Sequence, residues 1–346
     1  MNKPLAALAL AAASVIVLSG CATTAAPADD GKLQVIASTN VYGSLASQIG
    51  GDRVEVTSLI DSAVKDPHAY EATARDRLAV QKADLVIENG GGYDSFMEEL
   101  RDGSDATVIT AAEFSHDYPD AVVEDHDDEH ADEAHNDEHA HADDEHADEA
   151  HADEAHADDE HGEDAHAGHD HIEGFNEHVW FDAHTISHVA EQIAADLTAL
   201  DPAGEADYQA GAKALTDDLT DIETELSALH EKLEGTPVFI TEPLPGLLAA
   251  AAGLDDVTPD GFAAAVEEGS DVAPATLLDA LALVEDGDVT AVLANAQTGG
   301  GETARIEDAA KQAGITVLTF SELLEPDQSY SEWMRSAISD LAALAE

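Results

Sequence analysis

Basic residues are scarce in this chain of 346 residues. It contains 13 Lys and Arg against 75 Asp and Glu, and its formal net charge is −62 at pH 7. Such a charge repels a phosphate backbone, so it excludes nucleic acid as a natural partner and favours the attraction of cations. Adaptation to a salty habitat would give the same composition, and the net charge alone does not separate the two explanations.

Cysteine and long apolar segments are scarce as well. The single cysteine, Cys21, excludes an intrachain disulfide. It follows an apolar run, Leu5 to Leu18, which comes after Lys3 and is too short for a typical membrane span. This order is typical of a bacterial lipoprotein signal. We therefore expect residues 1–20 to be cleaved, a lipid on Cys21 to anchor the protein outside the cytoplasmic membrane, and residues 21–31 to form a flexible tether.

Histidine, by contrast, is concentrated in one segment. Residues 116–171 contain 13 of the 18 histidines and 24 Asp and Glu, with no Lys or Arg, in a pattern close to a five-residue repeat. Imidazole and carboxylate are ligands for divalent metal ions, so this tract is interpreted as a weak, multivalent metal collector. Its candidate ligands are His126, His130, His135, His139, His141, His146, His151, His156, His161, His166, His169 and His171.

The composition of the tract also predicts that it does not fold by itself. A step of five residues advances about 140° around a helix, so the histidines would not share one face. No apolar residue larger than Ala lies between Val123 and Ile172, and a chain without apolar area to bury cannot offset its ordering entropy. We therefore expect a disordered loop, and a plain acidic loop that only aids solubility is the alternative.

The remainder of the chain alternates between short apolar runs and helical patterns. This alternation predicts an α/β fold of two Rossmann-like lobes with parallel sheets. The predicted lobes are residues 32–200, which include the tract, and residues 236–346. Residues 201–235 are predicted to form one long, rigid linking helix, and a coiled-coil seam is the alternative. The apolar stripe of that helix has a 4, 3, 4, 3, 4 spacing and comprises Leu215, Leu219, Ile222, Leu226, Leu229 and Leu233.

Few histidines lie outside the tract, and two of them are candidate metal ligands in loops. His68 and His178 occupy corresponding edges of the first lobe, where the ends of parallel strands collect ligands. His184 and His188 are four residues apart on a predicted helix, a spacing that can chelate a metal ion. For these last two, an exposed helical pair without a role is the favoured interpretation.

Several segments resemble one protein family. They are Lys65-Asp-Pro-His68-Ala-Tyr-Glu71, Ala83-Asp-Leu-Val-Ile-Glu-Asn-Gly90, Glu177-His178-Val-Trp-Phe-Asp182, Asp201-Pro202 with Tyr208, and Tyr330-Ser-Glu-Trp-Met334. In this order they resemble the zinc- and manganese-binding solute receptors of bacterial ABC importers over nearly the whole mature chain. An acidic His-rich insertion just ahead of the second histidine is typical of the zinc-type members.

The resemblance implies four ligands that face a cleft between the lobes. His68 and His178 match the two histidines of the first lobe. Glu242 stands where zinc-type members often have a third histidine and manganese-type members have Glu. Glu322 follows the last strand, where an Asp is usual; it is the candidate fourth ligand, with Glu302 and Glu325 as alternatives.

The resemblance also implies a function and partners. Zn²⁺ is the expected cargo, because the tract and the intrinsic affinity order favour it, and Mn²⁺ is the alternative. Asp182 is expected to orient a histidine ligand. The chain would act as a monomer that hands its ion to an ABC permease with its ATPase. A surface zinc store or adhesin is a second hypothesis, whereas an enzyme is not expected, because no nucleophile or phosphate cradle is evident.

Overall fold

The computed structural model describes most of the chain outside the signal segment and the His-rich tract. The described residues are 31–62, 67, 70–119, 172 and 174–345. Cys21, His68 and the candidate histidines of the tract lie outside them, so the expectations for these residues remain predictions. The described part contains two parallel four-stranded sheets with helices packed against them, which confirms the predicted α/β class.

The first sheet has the strand order β2-β1-β3-β4, and all its strands are parallel. The strands are β1 (Leu33–Thr39), β2 (Val54–Ile60), β3 (Leu85–Glu88) and β4 (Thr107–Thr110). Neighbouring residues of β1, Val35 and Ile36, belong to different clusters of buried side chains. Since successive side chains of a strand point to opposite faces, this sheet is covered on both faces, as its apolar strands require.

The second sheet repeats this arrangement, with the strand order β6-β5-β7-β8. Its strands are β5 (Thr236–Ile240), β6 (Leu254–Asp256), β7 (Ala291–Asn295) and β8 (Thr316–Phe320). They are also parallel, so their carboxyl ends meet at one edge. Loops that follow these strands are therefore where a ligand site is expected.

Ten helices are described around the two sheets. They are α1 (Asn40–Gly50), α2 (Ala74–Val80), α3 (Phe96–Arg101), α4 (Ala183–Leu200), α5 (Glu205–Leu233), α6 (Gly246–Ala251), α7 (Phe262–Glu267), α8 (Pro274–Asp286), α9 (Gly301–Ala313) and α10 (Tyr330–Ala342). Two short elements, β6 and α7, have no counterpart in the sequence-based prediction.

Helix α5 connects the two sheets. Its 29 residues correspond to a length of about 43 Å. All six residues of the predicted apolar stripe are at most 4% exposed, and they belong to the largest buried cluster, which contains side chains from both sheets. The stripe is thus buried against the rest of the protein. The domain bounds predicted around this helix remain a prediction.

Helix α10 makes a second connection between the two parts of the chain. It follows the last strand of the second sheet but packs against α5 and contacts α1. The hydroxyl of Tyr330 donates a hydrogen bond to the carbonyl of Trp180 (2.7 Å), and Arg335 pairs with Glu225 on α5 (3.2 Å). The chain therefore crosses between the two lobes twice, once through α5 and once through the segment between β8 and α10.

None of the helices in the described part of the chain combines the length and the apolar character needed to cross a membrane. Helix α5 is long enough, but only its buried stripe is apolar and much of its remaining surface is charged. Its length therefore serves packing between the two lobes.

Glu88 at the end of β3 gives the stability of the fold a specific pH dependence. Burial, and then Asp94, raise the pKa of its carboxyl from 4.5 to about 7, although Arg101 and Thr110 oppose the rise. The folded state therefore keeps a proton that the unfolded state loses, so this contribution to stability is present below about pH 4.5 and declines as the pH rises to about 7.

We expect Glu88→Gln to remove this decline. Between pH 5 and pH 8, the wild-type protein should lose about 1–3 kcal/mol of unfolding free energy relative to the variant. Denaturant unfolding of the metal-free protein at the two pH values measures the difference. Glu99→Gln, an exposed change on α3, is the control, and parallel pH profiles for wild type and Glu88→Gln would contradict the expectation.

Candidate metal centre between the lobes

His178 is a completely buried histidine whose orientation is fixed by its neighbours. It lies just before a 3-10 turn, Val179–Phe181, and its exposed fraction is 0%. Its Nδ1 atom is 2.9 Å from Oδ1 of Asn176, and Nδ2 of that asparagine donates to the carbonyl of Pro243 (2.9 Å). Because a carbonyl only accepts, the amide nitrogen faces Pro243 and the amide oxygen faces His178, so Nδ1 carries the proton.

In this tautomer Nε2 carries a lone pair, and this is the form of imidazole that binds metal ions. Nε2 lies 3.6 Å from Oε1 of Glu267, at the end of α7. His178 belongs to the first lobe and Glu267 to the second, so the contact crosses the cleft. The sequence-based ligand set did not include Glu267.

A turn that follows β3 supports the His178 segment. The hydroxyl of Tyr42 donates to Oδ1 of Asn89, and Nδ2 of Asn89 donates to the carbonyl of Glu177 (2.9 Å). Gly91 has φ +68°, and a Cβ there would lie 2.9 Å from the ring of Phe175. Only glycine combines that conformation with so close an approach. The glycine-rich turn thus holds the residues just before His178.

Glu322 is a buried carboxylate at the end of β8. Its exposed fraction is 0%, its Oε2 accepts from the hydroxyl of Tyr93 (2.8 Å), and its Oε1 accepts from Nδ2 of Asn295 (2.6 Å). Burial, and then Glu322, raise the pKa of Tyr93 well above its usual value, so the phenol keeps its proton and donates. A carboxylate oxygen can accept from more than one partner, so these hydrogen bonds are compatible with coordination of a metal ion.

Glu242 lies in the loop after β5 and is 1% exposed. The hydroxyl of Thr298, from the glycine-rich loop before α9, donates to its Oε2. Its chain neighbour Pro243 is the acceptor for Asn176, and the ring of Tyr93 lies 5.9 Å from that of His178. Glu322 is therefore linked to His178 through one residue, Tyr93, and Glu242 is linked to it through two, Pro243 and Asn176.

The other candidate residues lie elsewhere. Glu325 is exposed, and Glu302 lies in the first turn of α9, partly exposed. Asp182 caps α4, where its carboxylate accepts from the backbone N–H groups of His184 and Thr185. Its predicted role of orienting a histidine remains a prediction, and the hydrogen bond described above for Nδ1 of His178 is with Asn176. His184 and His188 lie on α4 with their Nε2 atoms 3.3 Å apart.

The donor types of this centre fit a divalent cation. Imidazole nitrogen and carboxylate oxygen are the ligands of Zn²⁺ and also suit Mn²⁺. Within the described residues, which omit His68, no three His, Cys, Asp or Glu side chains are close enough to one another to hold a metal ion. His68 lies outside the described part, and its role as a further ligand remains a prediction.

Two α/β lobes with such side chains between them define the class of two-lobed substrate-binding proteins. The family model described as "Zinc-uptake complex component A periplasmic" matches residues 35–344. The chain belongs to this family, whose members are substrate-binding proteins of metal transporters and not enzymes.

Curated relatives are similar over part of their length. The manganese-binding lipoprotein MntA of Bacillus subtilis is 38% identical over 88 residues, which are 25% of this chain and 28% of the relative. MntA of Halalkalibacterium halodurans is 23% identical over 250 residues, or 70% of this chain and 66% of the relative. The chain thus spans about a quarter and just under two thirds of these two proteins.

Solved structures share the fold over nearly the whole length. The periplasmic zinc-binding protein TroA from Treponema pallidum has a TM-score of 0.65 at 17% identity, with 91% of this chain and 99% of TroA covered. A ZnuA structure has a TM-score of 0.64 at 18% identity, with coverage of 91% and 100%. At these levels of sequence identity, the likeness to the two structures shows a shared fold.

Proposed function

We propose that the protein is the extracytoplasmic metal-binding component of a bacterial ABC importer and that its cargo is Zn²⁺. The observation that carries the proposal is the fully buried His178, whose Nε2 lone pair faces a carboxylate of the opposite lobe. His68, His178, Glu242 and Glu322 are the proposed ligands. A lipid on Cys21 would hold the protein near the permease and ATPase that receive the ion, and the protein would act as a monomer.

Two features support zinc as the cargo. The intrinsic affinity order places Zn²⁺ above Mn²⁺ for a site of imidazoles and carboxylates. The His-rich tract would add a weak, rapidly exchanging reservoir close to the tight site. Manganese is the second candidate, because a carboxylate-rich set suits an ion that accepts more oxygen ligands, and two relatives are named manganese-binding lipoproteins.

Competitive titration with Zn²⁺ and Mn²⁺ tests the proposal. The mature protein is compared with a variant in which residues 120–171 are replaced by a short flexible linker. The ring centroids of Tyr118 and Phe175 are 5.5 Å apart. The two stretches that flank the excised segment therefore lie close together, and a short linker can join them. One tight zinc equivalent in both proteins supports the proposal. Preferential retention of Mn²⁺ under zinc buffering favours the manganese function, and no tight equivalent in the variant favours storage by the tract.

Asn176 should affect metal binding although it is not a ligand. Asn176→Ala removes the acceptor that fixes the tautomer and the orientation of His178, so zinc binding should weaken by about 10- to 100-fold. Asn176→Asp keeps an acceptor for Nδ1 and should restore much of the affinity. Chelator competition measures both variants, and equal affinities for wild type and Asn176→Ala would show that the ring is held by other contacts.

A further inference from the structure

His184 and His188 form a pair of imidazoles on the solvent-facing side of α4, outside the cleft. They lie one helical turn apart. Their rings approach each other, with centroids 4.7 Å apart and an angle of 88° between the ring planes, and their Nε2 atoms are separated by 3.3 Å. The sequence spacing only permits such a pair, and the structure adds the convergence of the two nitrogens.

The separation of the two Nε2 atoms matches that of two ligands in a tetrahedral metal site. With Zn–N bonds of about 2.0–2.1 Å, two ligands of a tetrahedral Zn²⁺ ion are about 3.3–3.4 Å apart. Ligands at right angles, as in octahedral or square-planar sites, would be about 2.9 Å apart at the same bond length. Among the described residues no third His, Cys, Asp or Glu joins the pair, so water molecules would complete the coordination.

A carboxylate on the next turn of α4 favours the tautomer that metal binding needs. Oε2 of Glu191 is 3.9 Å from Nδ1 of His188. Its negative charge favours a proton on Nδ1, which places the lone pair of His188 on Nε2. In the metal-free protein, the ring of His184 can donate its Nε2–H to that lone pair. A metal ion takes the place of this proton once His184 adopts the same tautomer as His188.

The end of the helix opposes a cation, but its cap offsets this effect. A helix N-terminus carries a partial positive charge that falls off within the first turn. The carboxylate of Asp182 caps this end by accepting from the backbone N–H groups of His184 and Thr185, and Glu191 adds a negative charge beyond His188. With a net charge of −62 for the chain, the surrounding field favours a divalent cation.

The pair also lies on the helix to which the flanks of the His-rich tract lead. The turn Ala111–Phe114, shortly before the tract, packs against α4, and α4 begins at Ala183, shortly after the tract ends at His171. His178, in contrast, is completely buried. The two α4 histidines are therefore ordered, accessible ligands that are separate from the cleft.

We propose that His184 and His188 form a second, weaker metal site, which binds one Zn²⁺ ion on the surface of α4. This inference goes beyond the proposed function and does not depend on the ligands of the cleft. Only two protein ligands and contact with water make the site weaker and faster to exchange than a buried site with more ligands. It should therefore load at zinc concentrations above those that fill the cleft.

Chemical modification of the full mature chain tests the site in the presence of the tract. Diethyl pyrocarbonate modifies accessible neutral imidazoles, and mass spectrometry of the digested protein measures the modification of each histidine at chelator-buffered free zinc concentrations. We expect His184 and His188 to become protected together, at the same zinc concentration. In His188→Ala, the protection of His184 should be lost.

Zinc titration of the variant without residues 120–171 gives the affinity, because the tract cannot mask a weak site there. We expect a second zinc equivalent that is weaker than the first. His184→Ala and His188→Ala should each weaken it by at least about 10-fold, since each removes a ligand. His230→Ala removes an exposed histidine from α5 and should keep both equivalents. Thermal unfolding of each metal-free variant checks that the fold is intact.

Two results would overturn the proposal: modification of His184 that does not respond to zinc, or a second equivalent that is unchanged in His184→Ala. The His178→Ala protein separates this site from the cleft, because it should lose the tight equivalent and keep the joint protection of the α4 pair. A wild-type chain without a tight equivalent that still shows this protection would contradict the proposed function and support the surface site.

Discussion

Zinc affinity should fall by more than about 100-fold when His178 is replaced by alanine. Loss of a group that only orients a ligand typically costs about 10- to 100-fold in metal affinity, and loss of the ligand itself should cost more. His178 is buried, and its neighbours Asn176 and Tyr93 are fixed by contacts of their own. Their contacts hold both neighbours in place, so neither is expected to replace the lost imidazole as a ligand.

The measurement is competitive titration on the variant without residues 120–171, where the tract cannot mask the change. His184→Ala is the matched control, since it removes a histidine from the exposed surface of α4. The zinc affinity of this control at the cleft should equal that of the parent variant. Similar affinities for His178→Ala and the parent would move the proposed site away from the inter-lobe cleft.

Truncation of Ile222 at the middle of α5 should produce the second large effect, in this case on stability. Its side chain is 0% exposed and belongs to the buried cluster shared by both lobes. Ile222→Ala should lower the unfolding free energy by about 2–5 kcal/mol, through lost burial and the cavity that remains. Because the cluster is shared, we expect both lobes to unfold in one transition.

Denaturant unfolding followed by two probes tests this expectation. Trp180 and Trp333 report on the centre of the protein by fluorescence, and far-ultraviolet circular dichroism reports on all helices. Asp221→Ala, at an exposed neighbouring position, should change the unfolding free energy by less than about 0.5 kcal/mol. Separate transitions for the two probes would mean that α5 connects the lobes without coupling their stability.

The sequence was sufficient for the parts of the fold that rest on long periodic patterns. The stripe of α5 follows from 3.6-residue periodicity, which directly reflects burial. The element α7 was missed because six residues with three consecutive alanines and no polar alternation give little signal. Strand β6 was missed because only one of its three residues is apolar.

The candidate site divides in the same way. Glu242 and Glu322 follow predicted strands, so the rule that ligands collect at the ends of parallel strands points to them. Asn176 and Glu267 could not be found in this way. The role of Asn176 depends on a carbonyl 67 residues away, at Pro243. The contact of Glu267 with His178 depends on the packing of a helix that local sequence does not predict. Tertiary contacts of this kind produce no periodic pattern in the sequence.

The return of α10 to α5 limits the ways in which a bound ion can leave. Two covalent crossings, reinforced by the contacts of Tyr330 and Arg335, oppose a wide separation of the lobes more strongly than one hinge would. Under the proposed function, the rate of metal release should then depend on local movement at the cleft rather than on the opening of the whole molecule. The protein would retain its ion by slow dissociation, and the proposed membrane partner would speed up release.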